Sequence, residues 1–412
     1  MLQEGRGDLR DFGTTSQGSR ERPFRRVPSL RQRKTRSNTR GGNAMTLEIT
    51  KITIYKADFE LLEPFRTSLA EITKAKNIVV RIHSGKEYYG TGEARPNPPV
   101  TGETREAAYE AGKEIAPLLL GREATDIEGA VKVLDGALLK NTALKAAFDI
   151  ALHDLVAKAA GIPLYALLGG ARRKIETDNT ISIDDPDVMA SKALEHVKDG
   201  YRVLKVKLGG SVEEDIKRVR HIRQRVGMEI PIRLDANQGW NLVEASQVLG
   251  ELERSNIQFC EQPLVWWNME GLKQLCRMTK VPIAADEGLF SPHDAFRLAA
   301  FQACHIFNIK LAKSGGLANA LKIEAIASAA GIPCMVGCMT ESRLALTAAA
   351  HFASARRGIL YADLDGHLGM KSDPVLGGAR YTAGEIELPE GPGLGADFAR
   401  DFLESCEQIT IT

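Results

Sequence analysis

From Leu47 onward apolar and polar residues alternate through ITKITIYKADFELLEPF, KNIVVRIHS and the glycine-bounded EYYGTGEARP. Successive side chains on a strand point to opposite faces, so this period of two predicts an antiparallel meander with one buried face. The period then lengthens in EAAYEAGKEIAPLLL and NTALKAAFDIALHDLVAKAAG, which predicts helices packed on that sheet. Residues 45–169 read as an α+β domain.

After Gly170 short apolar runs alternate with amphipathic helical segments. The runs are TDNTISI (177–183), YRVLKVKL (201–208), PIRLDAN (231–237), IQFCEQP (257–263), VPIAADE (281–287), HIFNIKL (305–311), IPCMVGC (332–338) and ILYADLD (359–365). Eight candidate strands that start 24 to 30 residues apart, most with a helix between them, predict a parallel (β/α) barrel over residues 170–366. The eighth run has no clear helix after it. The chain enters YTAGEIELPEGPGLG instead, and residues 367–412 are expected to return to the first domain.

Composition supports this picture and adds one exception. A chain of 412 residues with 43% hydrophobic and 26% charged residues has a soluble globular composition and room for more than one domain. Its net charge of +1 conceals an asymmetry, because residues 1–44 hold ten Arg and one Lys against four acids. That segment carries +7 and has no apolar periodicity, so it is expected to be a disordered basic tail with no part in the chemistry. The rest carries −6, which gives no basis for a nucleic-acid surface. Six cysteines without a CxxC pair fit reduced thiols in a cytoplasm, and no apolar run is long enough for a membrane span.

The chemistry is concentrated at the C-terminal ends of the eight runs. Lys205 and Lys207 end the second, Asp235 the third, Glu261 the fourth, Asp286 the fifth, Lys310 the sixth, and Asp363 and Asp365 the eighth. In a barrel those ends converge on one mouth. The steps of 26, 25 and 24 residues from Asp235 through Glu261 and Asp286 to Lys310 place one polar residue in each repeating unit. Three carboxylates on adjacent strands repel one another unless a cation sits among them, and oxygen ligands without His or Cys favour Mg²⁺. Strands 2 and 6 of an eight-stranded barrel face each other, so Lys207 and Lys310 are expected on opposite sides of that metal. Two bases about one carbon suit a racemase or epimerase, with the metal stabilising the enediolate left when a carbon beside a carboxylate loses its proton. Lys205, two positions from Lys207 on the same face, is expected to lower the pKa of Lys207 by like-charge repulsion.

The set KxK, LDAN, EQP, ADE, NIKLAKSGG and YADLDG resembles the enolase superfamily, in its muconate-lactonizing-enzyme branch, and most closely the dipeptide epimerases. The resemblance covers Met45 to about Leu394. It implies a (β/α)7β modified TIM barrel closed by an α+β capping domain, Lys207 and Lys310 as the acid/base pair, and Asp235, Glu261 and Asp286 as Mg²⁺ ligands. It implies a dipeptide substrate whose ammonium is held by Asp363 and Asp365, and a homo-oligomer. The alternative on the same site is an N-acylamino acid racemase, an o-succinylbenzoate synthase or a muconate-type cycloisomerase, none of which has an evident use for that acid pair. Cys338 and Thr340 close the seventh run and are candidate substrate contacts. Relatives that act on Ala-Glu carry an Arg in the loop PFRTSLAEITKAKN (64–77), and Ala70 stands in its place here. With Glu71 beside it, the loop predicts a cationic or hydrophobic dipeptide.

Overall fold

The computed structural model describes residues 46–412; the basic tail expected at 1–44 lies outside the described residues. The meander forms as three antiparallel strands, β1 (Ile49–Arg66), β2 (Glu71–Ser84) and β3 (Tyr88–Ala94), in register through Ile54↔Val80 and Ile82↔Gly90. Ile52, Ile54, Ile78, Val80 and Ile82 alternate onto its buried face. Against it packs the helix Thr142–Ala159, which is buried on almost every side because it lies between the sheet and the barrel. Two glycines on β3 permit the approach: a Cβ at Gly92 would stand 2.1 Å from the carbonyl oxygen of Ala147, and one at Gly90 would stand 2.0 Å from that of Ala151. Gly92→Ala is expected to lower stability by about 1–3 kcal/mol, since only backbone movement relieves the overlap. Denaturant unfolding checks this, and an unchanged midpoint would show that the helix shifts freely.

Eight parallel strands follow, hydrogen-bonded in chain order: Asn179–Ile181, Leu204–Lys207, Ile232–Asp235, Ile257–Glu261, Ile283–Ala285, Ile306–Ile309, Cys334–Val336 and Ile359–Ala362. They are barrel strands 1 to 8 below. A parallel bridge between Thr177 and Ala362 brings the first and last together, reinforced by Leu364 N donating to Thr177 Oγ1 at 2.9 Å. Each predicted run holds its strand, but the strand is shorter, since the chain turns into the connecting loop soon after the hydrogen-bonded residues. The interior is filled by Phe259, Ala284, Ile306 and Met335, with Arg233 between the rings of Phe259 and Tyr361 and paired with Asp178 at 2.7 Å. No helix among the described residues is long and apolar enough to cross a membrane.

Segment 367–412 divides its packing. Glu407–Ile411 joins the free edge of β1, with Ile52 opposite Ile411. Arg380–Thr382 instead pairs with Glu385–Glu387, which pairs in turn with Ile175–Glu176 just before barrel strand 1, and Ile386, Leu388, Leu394 and Phe398 enter the barrel's apolar core.

Buried acids from the capping domain fix the two parts together. Asp149 Oδ1 accepts from Leu317 N at 2.5 Å, and Glu93 accepts from Ser342 N at 2.9 Å and Ala345 N at 3.2 Å. Each carboxylate satisfies the free N–H groups at a barrel helix N-terminus, where the helix dipole favours negative charge. Over the mouth, Ser68 Oγ in the β1–β2 hairpin lies 3.0 Å from Ala236 O and 2.9 Å from Asn237 O. Gly209, just beyond the KxK strand, lies under this hairpin with φ +108°, and a Cβ there would come within 2.7 Å of Ser68 Cβ. A side chain at that position would both strain the backbone and push the hairpin away.

Candidate active site

The barrel's register assembles the polar residues. Lys207 aligns with Asp235 and Asp235 with Glu261, so strands 2, 3 and 4 end at one level. Asp286 and Lys310 stand one residue past strands 5 and 6. All five are buried, as is Lys205. Lys207 and Lys310 come from strands diametrically placed in the eight-strand order, on opposite sides of the mouth.

The lysines are not a bare like-charged pair. Asp235 Oδ2 lies between them, 2.6 Å from Lys207 Nζ and 3.2 Å from Lys205 Nζ. Lys205 Nζ also reaches Glu261 Oε2 at 2.8 Å and Asp363 Oδ2 at 2.6 Å. Burial alone would pull its pKa down, but Asp363, Glu261 and Asp235 outweigh burial and hold it well above the usual lysine value. The two like-charged lysines of this strand are thus bridged by a carboxylate. Lys205 acts as a fixed cation that binds three carboxylates together. Lys310 Nζ stands 2.8 Å from Asp286 Oδ2 and 3.6 Å from Glu261 Oε1, and these charges likewise overcome burial and raise it.

Four residues absent from the sequence expectation complete the cluster. Lys313 pairs with Asp286 Oδ1, and Asn308 Nδ2 donates to Glu261 Oε1 at 2.7 Å. Asn237 accepts from Lys207 Nζ at 3.1 Å and donates to Glu287 Oε1 at 3.2 Å. Their signal lay inside motifs already singled out: Asn237 in LDAN, Glu287 in ADE, Asn308 and Lys313 in NIKLAKSGG.

The oxygen-only donor set fits a hard divalent cation. Glu261 Oε2, Asp286 Oδ1 and Glu287 Oε2 are buried and accept no hydrogen bond among the described residues; the first two meet only ammonium groups as ion pairs. Burial, then the neighbouring Asp235 charge, pushes Glu261 up to about 7, and burial with Asp286 pushes Glu287 up to about 8. Such crowding of buried carboxylates is relieved by a cation bound to oxygen, and Asp235, Glu261 and Asp286 are placed to hold Mg²⁺.

Above this cluster lies a cavity of about 700 Å³, bordered by Lys207 and Lys310 at its base and by Cys338, Thr340, Asp363 and Asp365 on one side. Oxygens of Asp363 and Asp365 and Cys338 Sγ all lie within 4.8 Å of one another. The two acids differ in charge. Burial raises both, but Lys205 beside Asp363 prevails and holds it below the ordinary carboxylate range. Asp365 accepts the Thr180 N–H at 2.6 Å, and burial with the Asp363 charge pushes it up to about 6. Phe65, Leu69, Ala70 and Ile72 of the hairpin line the cavity from the capping side. Glu71 does not. Its side chain is half exposed and receives Arg66 Nε at 2.6 Å across the turn, because residue 71 opens β2 on the face opposite Ile72. The expectation that Glu71 contacts substrate is corrected.

Comparison with known proteins agrees with this architecture. Residues 49–169 match the mandelate racemase / muconate lactonizing enzyme N-terminal domain, and residues 188–402 match the enolase C-terminal domain-like family. The D-Ala-D/L-Ala epimerase of Cytophaga hutchinsonii is 44% identical over 88% of this chain and 99% of its own. The L-Ala-D/L-Glu epimerase of Clostridium acetobutylicum is 42% identical over 85% and 98%. Among solved structures, the Cytophaga hutchinsonii dipeptide epimerase complexed with Mg and D-Ala-L-Val superposes with a TM-score of 0.87 at 43% identity, covering 89% of this chain and all of that one. By its two domain matches and its relatives, the chain belongs to the enolase superfamily, in the mandelate racemase / muconate lactonizing enzyme group, and is most like its dipeptide epimerases.

Proposed function

We propose that the protein is a Mg²⁺-dependent dipeptide epimerase, an isomerase that inverts the α-carbon of the substrate's C-terminal residue. The observation that carries this reading is the placing of Lys207 and Lys310 on opposite strands below one cavity whose side wall holds Asp363 and Asp365. One lysine removes the α-proton, so that a C–H bond breaks and an N–H bond forms. The other, on the far face, returns a proton to the carbon, and the configuration inverts. Asp235, Glu261 and Asp286 would hold Mg²⁺, which would supply electrostatic stabilisation of the negative charge that develops on the substrate carboxylate. Lys205 and Lys313 keep those three carboxylates in place by direct ion pairs.

Asp365 favours a dipeptide over an N-acyl amino acid. Its neighbour Asp363 is taken by Lys205, but Asp365 faces the cavity with Thr180 as its hydrogen-bond partner and no ion pair among the described residues, so a substrate ammonium would complete its charge pairing. An N-acyl group offers no cation there. For the second residue, the wall of Phe65, Leu69, Ala70 and Ile72 favours an apolar side chain; Glu71 no longer supports the cationic alternative, and the acids that do border the cavity, Glu63, Glu195 and Asp199, come from other positions.

The test is mass spectrometry of dipeptides, grouped by side-chain charge, incubated with protein and Mg²⁺ in D₂O. Deuterium is expected at the C-terminal α-carbon, with the greatest rate for apolar second residues. Incorporation into N-acyl amino acids and none into dipeptides would replace this reading by the racemase alternative.

A further inference from the structure

We infer that Arg95 receives a carboxylate carried on the side chain of the substrate's N-terminal residue. The inference rests on the dipeptide reading above and names a subsite within it. Arg95 follows β3 directly and borders the same cavity, yet its residue is only 7% exposed. Nε and Nη1 are fully buried and have no hydrogen-bond partner among the described residues. A guanidinium with two of its three nitrogens cut off from water and from acceptors is costly, and buried arginines are ordinarily paired through several N–H groups. Burial also draws Arg95 down to about 10, with Glu341 opposing, so it stays a cation at neutral pH.

Glu341 does not supply the missing partner. Its Oε2 accepts Met339 N at 3.0 Å, and burial together with the Glu93 charge pushes it up to about 7, which leaves it only partly charged near neutrality. Arg95 borders the cavity, and a planar fork of donors is matched by a carboxylate, which accepts two parallel hydrogen bonds.

Position identifies the substrate residue concerned. Asn97, two residues past Arg95, donates Nδ2 to Met339 Sδ at 3.7 Å in the turn that follows barrel strand 7, and Cys338 in that turn lies within 4.8 Å of the acids proposed for the ammonium. The apolar wall for the second residue comes instead from the β1–β2 hairpin. A carboxylate at Arg95 therefore belongs to the first residue, giving a preferred substrate with an acidic residue first and an apolar residue second.

The experiment measures kcat/KM for the pairs Glu-Leu and Gln-Leu, and Leu-Glu and Leu-Gln, with wild type, Arg95→Gln and Arg95→Lys. Wild type is expected to favour Glu-Leu over Gln-Leu by roughly 10- to 100-fold, as for a hydrogen-bonded charge pair, with little discrimination in the second pair. The first ratio should fall toward one in Arg95→Gln and survive in part in Arg95→Lys. A wild-type ratio at or below one overturns the assignment even if the variants do not fold. Preference for acid only at the second residue, or a ratio unchanged in Arg95→Gln, overturns it as well. In each of these cases dipeptides still turn over and the epimerase reading stands. Absence of exchange with every dipeptide removes that reading, and this subsite with it.

Discussion

Lys207→Ala and Lys310→Ala are each expected to lose net epimerisation by roughly 10²- to 10⁴-fold, the usual contribution of a positioned general acid or base. The more discriminating result is an asymmetry. A two-base site needs one lysine to deprotonate each stereoisomer, so a variant lacking one base should still exchange the α-proton of the stereoisomer served by the other. In D₂O, Lys207→Ala should label one configuration of the C-terminal residue and Lys310→Ala the opposite one. Both substitutions expose buried carboxylates to the loss of a cation, Asp235 in the first and Asp286 in the second, so circular dichroism and thermal melts are needed beside the kinetics. Normal turnover in either folded variant, or loss of the same half-reaction in both, would contradict the opposite-face scheme.

Chelation should have an equally large effect by a different route. With EDTA, exchange is expected to fall at least 10²-fold and to return with added Mg²⁺, since charge developing on the substrate carboxylate then lacks its counter-charge. The site also has a readout independent of catalysis. Asp235, Glu261 and Asp286 are buried together, so a cation that binds only the folded protein should stabilise it, by about 2.7 kcal/mol at a hundredfold excess over Kd. Mg²⁺ should raise the melting temperature of the wild type and leave that of Asp286→Asn unmoved. If Mg²⁺ stabilised both equally, the cation would be bound elsewhere.

Much of this molecule was legible in one dimension for a specific physical reason. A parallel barrel repeats one unit, and the same point in each unit, the strand's C-terminal end, faces the same mouth. Asp235, Glu261, Asp286 and Lys310 therefore announced themselves by spacing, and alternation in β1 and β2 revealed their buried face without knowledge of what covers it. Strand ends were less legible, because the apolar run continues past the last hydrogen-bonded residue into the loop.

What the sequence by itself determined is the order of elements, the barrel and the identity of the acids and lysines at its mouth, since each follows from a periodic pattern along the chain. Only tertiary structure decided the electrostatics. Adjacency on strand 2 suggested that Lys205 and Lys207 repel each other, but neighbouring strands insert Asp235 between them and Asp363 beyond, so that carboxylates surround Lys205 and hold it as a cation. The same holds for specificity: Glu71 and Ala70 are neighbours in sequence, yet Ala70 ends the hairpin turn against the cavity while Glu71 opens β2 and pairs with Arg66 outside it. Arg95, an ordinary loop residue in the sequence, acquires meaning only when the capping domain and the strand 7 turn close around it, because burial and the lack of a partner are properties of three-dimensional surroundings.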